Sequence, residues 1–251
     1  MQRDAAEIFN SPKQRFAKLL HFLKTRYRVE KRAEVAELTH VIKPQAIIFD
    51  IGAHFGQYAK AFAELNGRTT QVYCFEPVGY TRDILNKVVK PYPNIRVFSN
   101  GFSNAPGEAA INIPVKKSGK IGPGLAHLGA ETSRDFVQEN ITLDTVDHFV
   151  EAHGLPRLDF IKMDIEGPEL LVLQGALQTL QKYRPAVFCE VSHPHMARMG
   201  LKPEDLFTLM RDAGYVAQLQ TDSGFVAAAD LSRSGDYLFV AEDAAGKKAV
   251  P

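Results

Sequence analysis

An α/β domain built on a mostly parallel sheet is the fold this sequence predicts, and three observations carry the prediction. Short apolar runs alternate with helical stretches from Ala46 onward, each run is apolar throughout, and the last two are joined by a turn-rich connection. Continuous apolar runs suit strands buried on both faces. Their alternation with helices implies a parallel sheet, and the final pair reads as antiparallel strands closing the sheet edge.

The elements follow in order. Residues 1–40 read as helix, because Phe16, Leu19, Leu20 and Leu23 recur at helical spacing with Lys and Arg between them. A basic amphipathic helix can touch a membrane; the reading taken is packing on the domain's flank or on a second subunit, so that a homodimer is expected through this stripe. Pro44 punctuates, dividing a helical extension over 1–45 from a domain over 46–251. Strands are expected at "AIIFDIG", "QVYCFEP", "IRVFSNGF", "LDFIKMDIEG" and "PAVFCEVS", with helices at "QYAKAFAEL", "YTRDILNKVV", "TLDTVDHFVEAHG" and "PELLVLQGALQTLQKY" between them. The closing pair is "YVAQLQ" and "DYLFVAE", joined by "TDSGFVAAADLSRSG". One segment breaks the rhythm: Lys116 to Phe136 holds Gly119, Gly122, Gly124 and Gly129 with little periodicity, which marks a candidate cover for a cleft.

Bulk properties narrow the function. The 251 residues suffice for one sizeable core, and a net charge of +1 offers no stripe for nucleic acid. Cys74 and Cys189 each sit within an apolar run, as buried thiols in a reducing cytoplasm would. No run of about 18 apolar residues is present to span a membrane. The first twenty residues lack the apolar core and cleavage site of a signal peptide, so a cytoplasmic location is expected.

In doubly wound sheets the ligand lies beyond the carboxyl ends of the strands, beside the first. Here that position holds Asp50-Ile51-Gly52-Ala53-His54-Phe55-Gly56, and the next strand ends in Glu76, twenty residues after Gly56. A carboxylate accepts hydrogen bonds only, so Glu76 suits the two hydroxyls of a ribose. A dinucleotide fits poorly, since His54 stands where the middle glycine of G-x-G-x-x-G belongs. S-adenosylmethionine fits better: it has no phosphates, and its zwitterionic tail suits an acid beside a turn rich in N–H groups. A second cluster, Asp164, Glu166 and Glu169, falls at the end of the fourth strand and the start of its helix. Glu169 has a structural reading in the helix's first turn, whereas Asp164 and Glu166 face the cleft.

The segments "FDIGAHFGQYA", "YCFEPVGY", "NGFSN", "ITLDTVDHF", "DFIKMDIEGPELLVLQGA" and "RPAVFCEVSH" resemble, in order over about residues 46–193, the FkbM-type S-adenosylmethionine-dependent methyltransferases. The "KxDxEGxExxVLxGA" pattern is the most specific match. The resemblance implies a class I methyltransferase fold, Rossmann-like, with a seven-stranded sheet whose last strand is antiparallel. It also implies methylation of a hydroxyl oxygen on a sugar or secondary-metabolite acceptor. With that cofactor, Asp50, Gly52, Ala53, His54, Gly56 and Tyr58 are assigned to the methionine end and Glu76 to the ribose. Pro77 and Val78 are assigned to the adenine face, Asn100, Gly101 and Phe102 to the surroundings of the base, and Asp164 to both cofactor and chemistry.

An alcohol needs a base to become a nucleophile, and the strand-end candidates are Asp164, Glu166, Glu190 and His193, with His193 favoured. His127 reads as a surface residue. A divalent ion on Asp164, Glu166 and Glu190 is an alternative, in which Glu190 could instead pair with Lys162. Two further alternatives are an NAD-dependent oxidoreductase and a non-catalytic scaffold on the same fold.

Overall fold

In the computed structural model, which describes residues 8–9, 11–27, 31–115, 121–122, 126–127 and 135–242, the first apolar run forms β1 (Ile47–Ile51), buried at every position. The other strands are β2 (Gln71–Phe75), β3 (Ile95–Phe98), β4 (Gly101–Phe102), β5 (Gly107–Pro114), β6 (Phe136–Asp144), β7 (Phe160–Met163), β8 (Ala186–Val191), β9 (Tyr215–Thr221), β10 (Gly224–Ala228) and β11 (Gly235–Ala241). The main sheet has eight strands in the order β10-β9-β11-β8-β7-β1-β2-β3. The run β3-β2-β1-β7-β8 is parallel, and β11 enters antiparallel between β8 and β9.

The seven expected strands with an antiparallel last member are therefore present, but the closing pair does not itself form the edge. The edge is β10, inside the connection read as turn-rich, where a partly exposed and glycine-led run carries a weak strand signal. The expected single strand "IRVFSNGF" is also divided. β3 stays in the main sheet, while β4 joins β5 and β6 in a separate three-stranded sheet, order β4-β6-β5. β6 runs to Asp144, into the stretch expected to be helical, and the helix starts after Thr145, whose Oγ1 accepts the His148 N–H at 3.1 Å.

The helices used below are α1 (Pro12–Tyr27), α2 (Arg32–Glu37), α3 (Gln57–Glu64), α4 (Gly79–Val89), α5 (Val146–Ala152), α6 (Glu169–Gln174), α7 (Leu177–Tyr183), α8 (His193–Arg198) and α9 (Pro203–Asp212). The expected single helix from Pro168 to Tyr183 is interrupted between α6 and α7. There Gly175 presses so closely on β4's end that a Cβ would stand 2.2 Å from the Ser103 carbonyl oxygen.

Strand alternation sorts the core into two layers. Ile48 of β1 packs with Phe62, Ile84, Leu85, Phe160 and Phe188 on one face. Ile47, Phe49 and Ile51 pack with Phe75, Phe149, Leu173, Met196 and Phe239 on the other. Cys74 and Cys189 are buried free thiols. Most of the glycine-rich segment expected to cover the cleft lies outside the described residues. Of the part that is described, His127 is buried rather than at the surface, and its backbone pairs with Asn112. Among the described residues no helix is long and apolar enough to cross a membrane.

Candidate active site

β1 ends in a turn whose alternate residues take left-handed backbone angles: Gly52 at φ 75°, His54 at 49° and Gly56 at 88°. The two glycines serve different ends. At Gly52 a Cβ would stand 2.2 Å from the Asp164 carbonyl oxygen, so this residue lets the ends of β1 and β7 meet beneath the cleft. At Gly56 it would meet Leu85 Cδ1 at 2.7 Å, so this residue seats α3 against α4 and is not part of the cavity wall.

A cavity of about 310 Å³ opens over this turn. Gly52, Ala53, His54 and Tyr58 line it from the first strand end, and Glu76, Pro77 and Val78 from the second. Gly101, Phe102, Ile141 and Leu143 add the small sheet, and Asp164, Ile165 and Glu166 close it from β7.

Glu76 is almost fully buried, its Oε2 accepting the His54 N–H and its Oε1 the Val78 N–H, each at 2.9 Å. Burial outweighs those two bonds and raises its pKa to about 7. Each oxygen keeps a lone pair for a hydroxyl. His54 Nε2 is buried without a partner, and burial lowers that imidazole to about 4, so the ring is neutral. A buried carboxylate with spare acceptor capacity, an orphaned ring nitrogen and an apolar slot between Pro77 and Leu143 fit an adenosine with a polar tail.

Several candidate residues lie elsewhere. Asp50 is wholly buried behind the cavity wall, 3.3 Å from Lys162 Nζ. Asn100 follows β3 outside the wall, and Phe55 belongs to the core. His193 opens α8 with its Nε2 2.8 Å from the Leu231 carbonyl oxygen, and it too is outside the wall.

The turn after β7 is strained in a way sequence does not announce: Glu166 takes φ 64° and Gly167 takes 129°. Glu169 folds back beneath it, accepting the Ile165 and Gly167 N–H groups at 3.4 and 3.3 Å. That orients Glu166 into the cavity, with its Oε2 2.8 Å from His195 Nδ1. Burial, then the neighbouring Asp164 charge, raises the Glu166 pKa. Burial, then the Arg198 cation, lowers that of His195.

Lys162 is the residue that sequence reading misplaced. Its ammonium faces Asp50, the Gly52 carbonyl (3.2 Å), Asp164 (3.9 Å) and the Tyr58 ring, and makes no pair with Glu190. A lysine in the apolar run "FIKM" in register with the aspartate of "IIFDI" was the available signal. Lys31 and Gln57 also line the cavity and were not singled out. Lys31 pairs with Glu34 of α2, whose carboxylate accepts a hydrogen bond from the Tyr58 hydroxyl. Among the described residues no three or more His, Cys, Asp or Glu converge as metal ligands.

The profile of the "Methyltransferase FkbM domain" matches residues 50–217. This chain belongs to the FkbM methyltransferase family.

S-adenosylmethionine is the cofactor of this family, which displaces the oxidoreductase alternative. Among FkbM relatives, the 2-O-methyltransferase NoeI of Sinorhizobium fredii is 27% identical over 186 residues, covering 70% of this chain and 75% of that protein. The hexuronic acid methyltransferase AglP of Haloferax volcanii is 25% identical over 187 residues, 72% of this chain and 69% of that one. The crystal structure of an FkbM methyltransferase from Methylobacillus flagellatus shares the fold at a TM-score of 0.50 and 17% identity, covering 95% of this chain and 56% of its own.

Proposed function

We propose that this FkbM protein methylates a hydroxyl oxygen of a carbohydrate-like small molecule, with Glu166 as the base. The observation that carries the reading is the strained turn that aims Glu166 into the cavity beside Asp164. The cofactor supplies an electrophilic methyl group on a sulfonium. The chain's own residues hold it: Glu76 for the ribose hydroxyls, Pro77, Phe102 and Leu143 for the adenine, Lys162 for the carboxylate and Asp164 for the ammonium.

Glu166 takes the hydroxyl proton as the acceptor oxygen gains its methyl group, and His195, with Nδ1 2.8 Å from the Glu166 carboxylate, is placed to pass that proton toward solvent. Lys31, Gln57 and Tyr58 give the wall the polar contacts that a polyhydroxylated acceptor needs. The names of NoeI and AglP support a sugar-like acceptor.

The test is methyl transfer from labelled S-adenosylmethionine to a panel of hydroxylated sugars and uronic acids. Transfer to oxygen that Glu166→Gln lowers about 10²- to 10⁴-fold, with S-adenosylhomocysteine affinity unchanged, supports the reading. A matching loss in His193→Ala with Glu166→Gln unimpaired would move the base to α8.

A further inference from the structure

α1 packs on α4 with the wrong face for an ordinary amphipathic helix. Its fully buried residues are the small or polar Gln14, Ala17 and Thr25, and one large apolar side chain, Phe22, is partly buried against the core, with the His21 ring 4.8 Å from that of Phe55. Lys18 crosses to Asp83 of α4 at 2.6 Å and lies over the Tyr80 ring, while the buried Lys60 of α3 donates to the carbonyls of Thr25 and Arg26 at the helix end. The helix is thus anchored by these polar contacts together with Phe22 and His21. Its other large apolar side chains are exposed: Phe16 is 60% exposed, Leu19 50%, Leu20 47%, Leu23 40% and Tyr27 76%. Spaced three and four residues apart, they form one continuous stripe along about 17 Å of helix.

Charge decides what covers that stripe. At 100° per residue, Lys13 and Lys24 border it on one side and Arg15 and Arg26 on the other. The helix sequence contains no acid at all. Two copies meeting stripe to stripe would therefore set cations against cations along both borders, with no carboxylate from this helix to relieve them. A surface that offers apolar depth beneath a layer of negative charge satisfies both features, as for helices that lie in the plane of a bilayer.

We propose that α1 docks this protein on an anionic lipid surface, with Phe16, Leu19, Leu20, Leu23 and Tyr27 entering the headgroup boundary and the flanking Lys and Arg residues contacting lipid phosphates. The contact is peripheral.

The experiment is sedimentation of the full chain with vesicles of phosphatidylcholine containing about one-third phosphatidylglycerol, compared with phosphatidylcholine alone. The expected result is partitioning into the anionic vesicles only, weakened by salt and lowered at least about tenfold by Leu20→Gln/Leu23→Gln and by Lys13→Glu/Arg15→Glu. All four positions already face water, so unchanged melting and S-adenosylhomocysteine binding verify the fold. No partitioning, or equal partitioning into both vesicle types, overturns the proposal. So does a dimer in sedimentation velocity that Leu20→Gln/Leu23→Gln dissociates, which would make the stripe a self-interface.

Discussion

Asp50 of β1 and Lys162 of β7 stand opposite each other on adjacent parallel strands, Nζ 3.3 Å from Oδ1, with both side chains almost wholly out of water. Burial alone would favour the neutral amine, but the Asp50 and Asp164 carboxylates outweigh it and raise the Lys162 pKa. Burial outweighs the Lys162 cation at Asp50 and raises that carboxyl too, so the two groups titrate as a coupled pair, with Lys162 on the cavity lining and Asp50 behind it.

Removing one partner leaves the other ionisable group buried without its counterpart. Lys162→Met is expected to cost about 3–5 kcal/mol of stability. Asp50→Asn/Lys162→Met, which removes both charges, should recover much of that. Urea denaturation of the single and double variants reads the difference, and equal losses in both would show that the pair is not coupled.

With Glu76 as the proposed ribose anchor, cofactor binding is expected to depend on pH. Ribose hydroxyls donate to the ionised carboxylate, so binding favours deprotonation of a group whose pKa is about 7 in the free protein. Affinity for S-adenosylhomocysteine should rise with pH through that value and then level off, with proton release on binding. Glu76→Gln should weaken binding by about 1–3 kcal/mol at high pH and remove the slope. Titration calorimetry in buffers of different ionisation enthalpy measures both.

The same burial acts on the stability of the free protein. Glu76 and Glu169 both ionise near 7 when folded, against 4.5 for an ordinary glutamate. Between those values the folded chain holds more protons than the unfolded one, so stability falls as pH rises from about 4.5 to about 7. The melting temperature should decline over that window and decline less in Glu169→Gln. A flat profile in the wild-type protein would contradict burial as the cause.

Gly52→Ala and Gly56→Ala should separate cleft from packing. The first places a methyl group against the Asp164 backbone carbonyl, which cannot yield without moving a strand end. It should abolish measurable S-adenosylhomocysteine binding. The second meets the movable end of Leu85 and should lower the melting temperature while leaving binding within about tenfold. Comparable losses of binding in both variants would place Gly56 in the ligand site.

Much was legible in the sequence because it depends on local pattern. Continuous apolar runs identified the strands of the parallel half, and the motifs at Asp50–Gly56, Glu76 and Asp164–Glu169 located the cleft, because strand ends on one sheet edge converge whatever the details of packing. β10, the divided run at β3 and β4, and the break at Gly175 were not legible. Each depends on what a distant backbone segment offers to a weakly patterned stretch.

The candidate site divides along the same line. Sequence alone determined the family and the cofactor and pointed to Glu76 as the candidate carboxylate for its ribose, since these rest on residue type and order. Tertiary structure alone decided orientation. It turned Asp50 away from the cleft to meet Lys162, and His193 toward Leu231. It also turned Glu166 inward through a left-handed residue, because side-chain direction follows from backbone angles and buried charge pairing that no linear spacing records.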